Sequence, residues 1–433
     1  MKEHTVTLPR IFIILACIPI LGGMLSAAAL SVPPGNGVSD ESIAIRNALT
    51  KCAGSKGGLV ILTAGRYRLN SPITVPSGVT LKGAWEGPHR LGMDRGTVLL
   101  AYAGKGKETG PPLIRLMPNS TVKGLTIYYP EQKLPDPIPY PWTIQGSGSD
   151  CSVADITLTN SYNAIDFSTY PNQRHYIRNV FGCFLRKGVF VDKSADGRIE
   201  NVHFSHNFWT RIGLDVSESY WDPLFADSYL NSTAFQFGHA EREYVTNTFA
   251  IACKIGYHFV RSKGGACSGS FLGIGMDFTQ KPLLIEETHD SGILITNGEF
   301  VAGNGVHTEG QIEVTASHTG TVQFANCSFW GPAACIGRIS GSGMVSMSQC
   351  NFVLFDWDQV SGWPAFTVDG GSISIMNSTF FKGWDKIVIG PDVRSALIMG
   401  NVSKGAPLTV ENKSAGDVQV VGNVLRDSKW GIR

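Results

Sequence analysis

Three carboxylates recur at a regular spacing in the middle of the chain: Asp166, Asp192 and Asp215. Paired carboxylates are what cleavage of a glycosidic bond needs. Around them, five segments repeat one pattern. They are Ala164-Ile165-Asp166-Phe167, Gly188-Val189-Phe190-Val191-Asp192, Gly213-Leu214-Asp215-Val216, Ala234-Phe235-Gln236-Phe237 and Gly256-Tyr257-His258-Phe259. Each opens with a small residue and then alternates apolar with variable positions, the mark of a strand with one buried and one outward face. The outward positions Asp166, Phe190, Asp215, Gln236 and His258 follow at steps of 24, 25, 21 and 22 residues. Self-similarity at about 20–50 residues is the sign of a solenoid. With coils stacked about 4.8 Å apart, Asp166 and Asp215 are expected two coils apart, with Asp192 on the coil between them. Separations of roughly 5–10 Å cover both glycosidase geometries, about 5–5.5 Å for retention and about 6.5–9.5 Å for inversion. Crowded carboxylates repel, so one is expected to keep its proton and serve as acid beside a base.

Other residues near this line suit a sugar. Arg174, His175, Lys187, Arg211 and Arg261 carry or can carry the charge that holds a uronate or sulfate. Trp209, Tyr220 and Trp221 offer faces for sugar rings, and Gln236 and His258 extend the outward line. The reading places a hydrolase first, with Asp166, Asp192 and Asp215 as its catalytic carboxylates and no cofactor. A β-eliminating lyase is the alternative. Lys187, Arg211 or Arg261 would then abstract the proton α to a uronate carboxylate, with Ca²⁺ on the Asp cluster. A non-catalytic carbohydrate-binding or surface solenoid is the third reading. A later cluster, Asp356, Trp357, Asp358 and Trp363, falls outside the ladder and ranks below it.

The elements that must position these groups are strands. After Asp40, Ala44, Ile45, Ala48 and Leu49 mark a short helix, expected over 40–52 as an N-terminal cap. Short strands broken by Gly and Pro turns follow: Gly57 to Leu62, Tyr67-Arg68-Leu69 and Ser77 to Gly83. An Asn-x-x-Phe-like element then recurs at Asn179, Asn201, Asn247, Asn297, Asn326, Asn351, Asn377, Asn401 and Asn423. Such Asn residues are expected to stack at turns, each amide bonding the backbone of the next coil. Two stretches break the period. Residues 128–142 carry five prolines and are expected to project as an ordered loop. Residues 203–224 gather His, Trp, Tyr and Asp. The fold class expected is all-β: a single-stranded right-handed parallel β-helix of roughly a dozen coils.

The run from Gly37 to Gly83 also resembles the opening of the pectate-lyase-like superfamily. Its elements are Asp40 to Leu49, Gly57-Gly58-Leu59-Val60, Ala64-Gly65-Arg66-Tyr67 and Pro76-Ser77-Gly78-Val79-Thr80-Leu81-Lys82-Gly83, with Asn36 where the family usually has Asp. The resemblance implies a right-handed parallel β-helix and a carbohydrate substrate. It carries over no catalytic residue, because the motifs of the polygalacturonase-type hydrolases and of the C5-epimerases are absent.

The chain has 433 residues, 50 glycines and a formal net charge of +1. Near-neutrality without a basic stripe argues against a nucleic-acid partner. Lys2 and Arg10 precede an apolar run from Ile11 to Leu25 and the small residues Ser26 to Ala29. Residues 1–29 are thus expected to be a secretory signal peptide, with residues 30–433 as one β-helix domain and no stable membrane insertion after cleavage. The product would be secreted, periplasmic or on the cell surface. A membrane anchor is the competing reading of the apolar run, and Cys17 a weak sign of lipid attachment. Cys327 and Cys350 occupy equivalent places in successive repeats, as buried small residues or, at the limit of distance, a bridge. Association of the rods is left open.

Overall fold

Alternating patterns that repeat every 20–30 residues bury their apolar side only against the next copy, and the chain does so. In a computed structural model it forms a parallel β-solenoid of about 15 turns, 57% strand. At about 4.8 Å per turn the rod is about 70 Å long, somewhat longer than a dozen coils would give. The structure describes residues 28–85, 87, 95–212, 220–303, 310–358 and 361–426. The expected signal peptide therefore lies almost wholly outside the described residues. A strand begins at Ala28, pairing Ala28 with Gly58. Among the described residues, no helix is long and apolar enough to cross a membrane.

Each turn has three faces. The first contains Thr233–Phe237 and Ile255–Phe259, paired in parallel with Gln236 opposite His258. The second contains Thr321–Ala325 and Met344–Ser348. The third contains Glu299–Ala302 and Ser328–Trp330. In the middle of the rod, strands Ser152–Phe167 and Tyr176–Val191 bend through second, third and first faces without a break. Inward residues stack on their equivalents one turn away. Phe235 lies 4.8 Å from Tyr257 at an interplanar angle of 7°, and Phe300, Phe329 and Phe352 continue such a pile. This offset stacking follows from a rung spacing that matches ring separation.

The corner from second to third face is a single left-handed residue. Asp155, Asn179, Asn201, Asn247, Asn297, Asn326, Gln349 and Asn377 hold it with φ between 51° and 57°. Asn tolerates this conformation because its short polar side chain bonds locally. The amides bond each other more than the backbone: Asn179 Nδ2 donates to Asp155 Oδ1 (2.8 Å), Asn201 to Asn179 (2.9 Å) and Asn247 to Asn201 (3.1 Å). Asn401 and Asn423, one residue past a corner, do donate to a backbone carbonyl as expected, those of Ile375 and Ile398.

Helix α1, Ser42–Gly54, packs over the first strands. Asp40 accepts from Ser42 N at 3.0 Å and Ser42 Oγ at 2.6 Å. The buried stripe is Ile45, Leu49 and Cys52, and Ala44 is exposed instead. One expected rung is missing. Strand 187–191 pairs directly with Thr233–Phe237, Phe190 lying opposite Gln236, so no rung stands between them. The chain leaves the coil after Phe204 and returns at Thr233, carrying α2 (Asn207–Thr210) and α3 (Trp221–Asn231). The segment Gly213 to Val216, expected as that rung, lies outside the described residues. All eight described cysteines are buried free thiols, Cys327 and Cys350 among them.

Candidate functional site

Excursions on a rigid scaffold are where binding groups collect. Four long ones leave at the edge between third and first faces: 102–113, 129–141, 205–232 and 354–365. The Pro-rich loop is ordered as expected. Tyr129 and Tyr140 are buried with ring centroids 4.5 Å apart, and Gln132 bonds both backbone groups of Ile138.

The sequence-derived residues scatter around this frame. Asp166 stands in the first-face line, opposite Gln145 and Phe190, but is 0% exposed. Its carboxylate accepts from Gln145 Nε2 (2.7 Å), Ser168 N (2.7 Å), Ser168 Oγ (2.6 Å), Thr169 N (3.2 Å) and Thr169 Oγ1. It ties the corner rather than facing a substrate. Asp192 sits on that same corner, where Oδ1 accepts from Lys193 N at 2.8 Å and His239 N at 2.7 Å. Asp215 lies outside the described residues.

The corner from first to second face takes three more of them. Arg174 forks onto Asp150 at 2.7 and 2.8 Å, and Arg261 pairs with Glu287. His175 is buried, its Nε2 3.0 Å from Glu243 Oε1 and its Nδ1 near Asn172 and Ser194, so it holds three successive coils together rather than a sugar. On the first face, His258 pairs with Glu286 at 2.8 Å, beside half-exposed Gln236. Lys187 pairs with Glu108 at 3.1 Å and lies 5.8 Å over Trp142. Lys187 and Arg261 are thus each engaged by a carboxylate rather than presented to a substrate. Arg211 is exposed just past α2.

The expected sugar platforms also differ. Trp209 is fully buried, with Tyr220 5.6 Å away edge-on, so it packs the α2–α3 excursion. Tyr220 is half-buried against the core. Trp221 opens α3, and its side chain lies outside what is described. Among the described residues no group of three or more His, Cys, Asp or Glu is arranged to hold a metal ion.

The condition looked for at Asp166, two carboxylates in unlike surroundings, occurs on the third face. Asp277 and Glu299 belong to adjacent rungs, in which Gly275 pairs with Glu299. Burial, and then the charge of Glu299, hold the Asp277 carboxyl above its ordinary value. Glu299 is exposed, and its Oε1 accepts from Trp330 Nε1 at 3.1 Å. One rung across and two residues along puts the two backbones about 8 Å apart. The register shifts between Met276 and Thr279, and Phe278 has φ of 47°. A bulky residue in that conformation is an outlier, and bulges of this kind re-aim side chains next to functional sites. Phe225 of α3 braces Phe278 edge-on at 5.9 Å. Phe278 and Trp330 remain 38% and 41% exposed, two aromatic faces beside the pair. Sequence reading missed it because Asp277 and Glu299 become neighbours only once the register is known; Glu299 was visible inside its Asn-x-x-Phe repeat.

No protein-family model matches the chain, and no curated protein matches it in sequence. Solved structures do. The N-terminal fragment of bacteriophage Phi29 gene product 12 superposes with a TM-score of 0.59 at 13% identity, covering 91% of this chain and 70% of its own. The catalytic domain of a GH87 alpha-1,3-glucanase in complex with nigerose gives 0.53 at 11% identity, covering 92% and 69%. At such identities the likeness is one of fold: the chain shares its β-solenoid architecture with these proteins.

Proposed function

We propose that this is an exported carbohydrate-active protein of the pectate-lyase-like kind that hydrolyses glycosidic bonds of a polysaccharide. The observation that carries the reading is the Asp277–Glu299 pair at the bulge. Asp277, its carboxyl raised above the ordinary value by burial and then by the charge of Glu299, serves as general acid toward the leaving oxygen. Glu299, exposed and oriented by Trp330, activates water. Backbones about 8 Å apart leave room for carboxyl groups at the about 6.5–9.5 Å of inverting enzymes, so inversion of the anomeric configuration is the expected outcome. Trp330 and Phe278 stack on the sugar faces. Likeness to a glucanase fold and the leader-like residues 1–29 are consistent with the substrate class and with export.

The test is a panel of neutral and acidic glycans scored for new reducing ends and for unsaturated products absorbing in the ultraviolet. Reducing ends without ultraviolet absorbance are expected, lost about 10²–10⁴-fold in Asp277→Asn. Unsaturated products, or full activity in both Asp277→Asn and Glu299→Gln, would overturn the assignment.

A further inference from the structure

We propose that a cleft near the C-terminal end of the loop-bearing edge is an accessory site for an anionic sugar residue, one bearing a carboxylate or a sulfate. The cleft encloses about 470 Å³ and is lined by Asp356, Phe381, Lys382, Trp384, Lys404 and the backbone around Gly405. That is within the usual range of ligand sites, about 300–1,000 Å³. The turns 354–365, 382–385 and 405–408 of three successive coils build it.

Its chemistry is specific. Lys382 and Lys404 each place Nζ 5.5 Å from the Phe381 ring. Among the described residues neither pairs with a carboxylate, whereas neighbouring Lys386 pairs with Glu411. Two ammonium groups gathered on one ring, neither of them in an ion pair among the described residues, make a place for an anion. Trp384 is 40% exposed and presents a flat apolar face. Asp356 is nearly buried, its Oδ1 accepting from Trp363 N at 3.1 Å. That bond fixes the carboxylate so that its other oxygen can accept from a sugar hydroxyl. A stacking face, a fixed acceptor and paired cations together select a sugar carrying a negative charge over a neutral sugar or a bare inorganic anion.

The site stands apart from Asp277 and Glu299 and takes from the reading above only the saccharide class of its ligand. The test is calorimetric titration of the full chain carrying Asp277→Asn, which prevents turnover, with oligogalacturonate, a sulfated oligosaccharide and a neutral oligosaccharide of equal length. At least one charged oligosaccharide is expected to bind ten-fold or more tighter than the neutral one. Lys404→Met and Trp384→Ala, both at accessible side chains, should each weaken that binding ten-fold or more, while Glu299→Gln leaves it unchanged. Equal affinity for the neutral oligosaccharide, or charged-sugar binding indifferent to Lys404→Met and Trp384→Ala, would overturn the proposal. Binding at the cleft without cleavage anywhere would refute the hydrolase and leave this site standing.

Discussion

Replacing His175 with Phe separates a structural role from a substrate-binding one. His175 and Glu243 both have side chains of zero exposure, with Nε2 3.0 Å from Oε1. Glu243 Oε2 is already without a hydrogen-bond partner among the described residues. Phe keeps the ring that lies 4.9 Å from Phe167, so packing is largely conserved and the loss is electrostatic. Removing one member of a buried pair strands the other, at a cost of about 3–5 kcal/mol. In a solenoid that loss is local, because each coil contacts only its neighbours. Hydrogen exchange should therefore accelerate in segments 172–176, 194–198 and 240–245, with the urea midpoint lowered and activity per folded molecule unchanged. Adding Glu243→Leu should recover part of the loss, since no buried charge then remains. If His175→Phe leaves exchange untouched and abolishes glycan binding, the side chain faces substrate and the reasoning fails.

Other outcomes follow from the same geometry. Glu299→Gln removes the charge that helps raise Asp277, so the Asp277 carboxyl, followed by NMR, should titrate at lower pH than in the wild type; an unmoved titration would mean that Glu299 does not act on it. Burial pushes the Asp385 carboxyl up to about 6 from 3.8. Its protonated form is the one the folded state prefers, so this stability is full below pH about 4 and is lost as pH rises through about 6. The loss is about 2 kcal/mol once screening by the adjoining cleft is allowed for. Urea midpoints of the wild type should fall between pH 4 and 7 relative to those of Asp385→Asn. Asn201→Ala forfeits the amide bonds to Asn179 and Asn247 and leaves the β-carbon at φ of 54° without the polar group that offsets it. It should cost about 2–3 kcal/mol by chemical denaturation, and Asn201→Gly less.

The architecture was legible because a period of 20–30 residues survives even where individual rungs vary. Ile165, Val189, Phe235 and Tyr257 announced the buried line correctly, and the Pro-rich stretch announced its loop. The site was harder. Asp166 reads as outward, and it does lie on the outward line, yet Gln145 on one neighbouring rung and the Ser168-Thr169 turn beyond it enclose its carboxylate. Alternation gives the direction of a side chain, not what later folds over it. Trp209 illustrates the same gap: inside a short helix, it is covered by the excursion that carries it. The bulge at Phe278 left no trace in the pattern, because a single extra residue looks like ordinary variation in coil length.

The one-residue corner between second and third faces has a consequence for how such a rod changes over time. An Asn at that corner allows no slack, so inward side chains stay aligned whatever happens across the section. Length differences between coils are discharged mostly at the opposite ridge, where 205–232 and 354–365 protrude. New recognition segments can therefore be spliced into that ridge, or trimmed from it, without shifting the hydrophobic pile beneath. The scaffold behaves as a fixed spine with exchangeable spines of loop along a single seam, and selection for a different glycan can act there while the interior remains untouched.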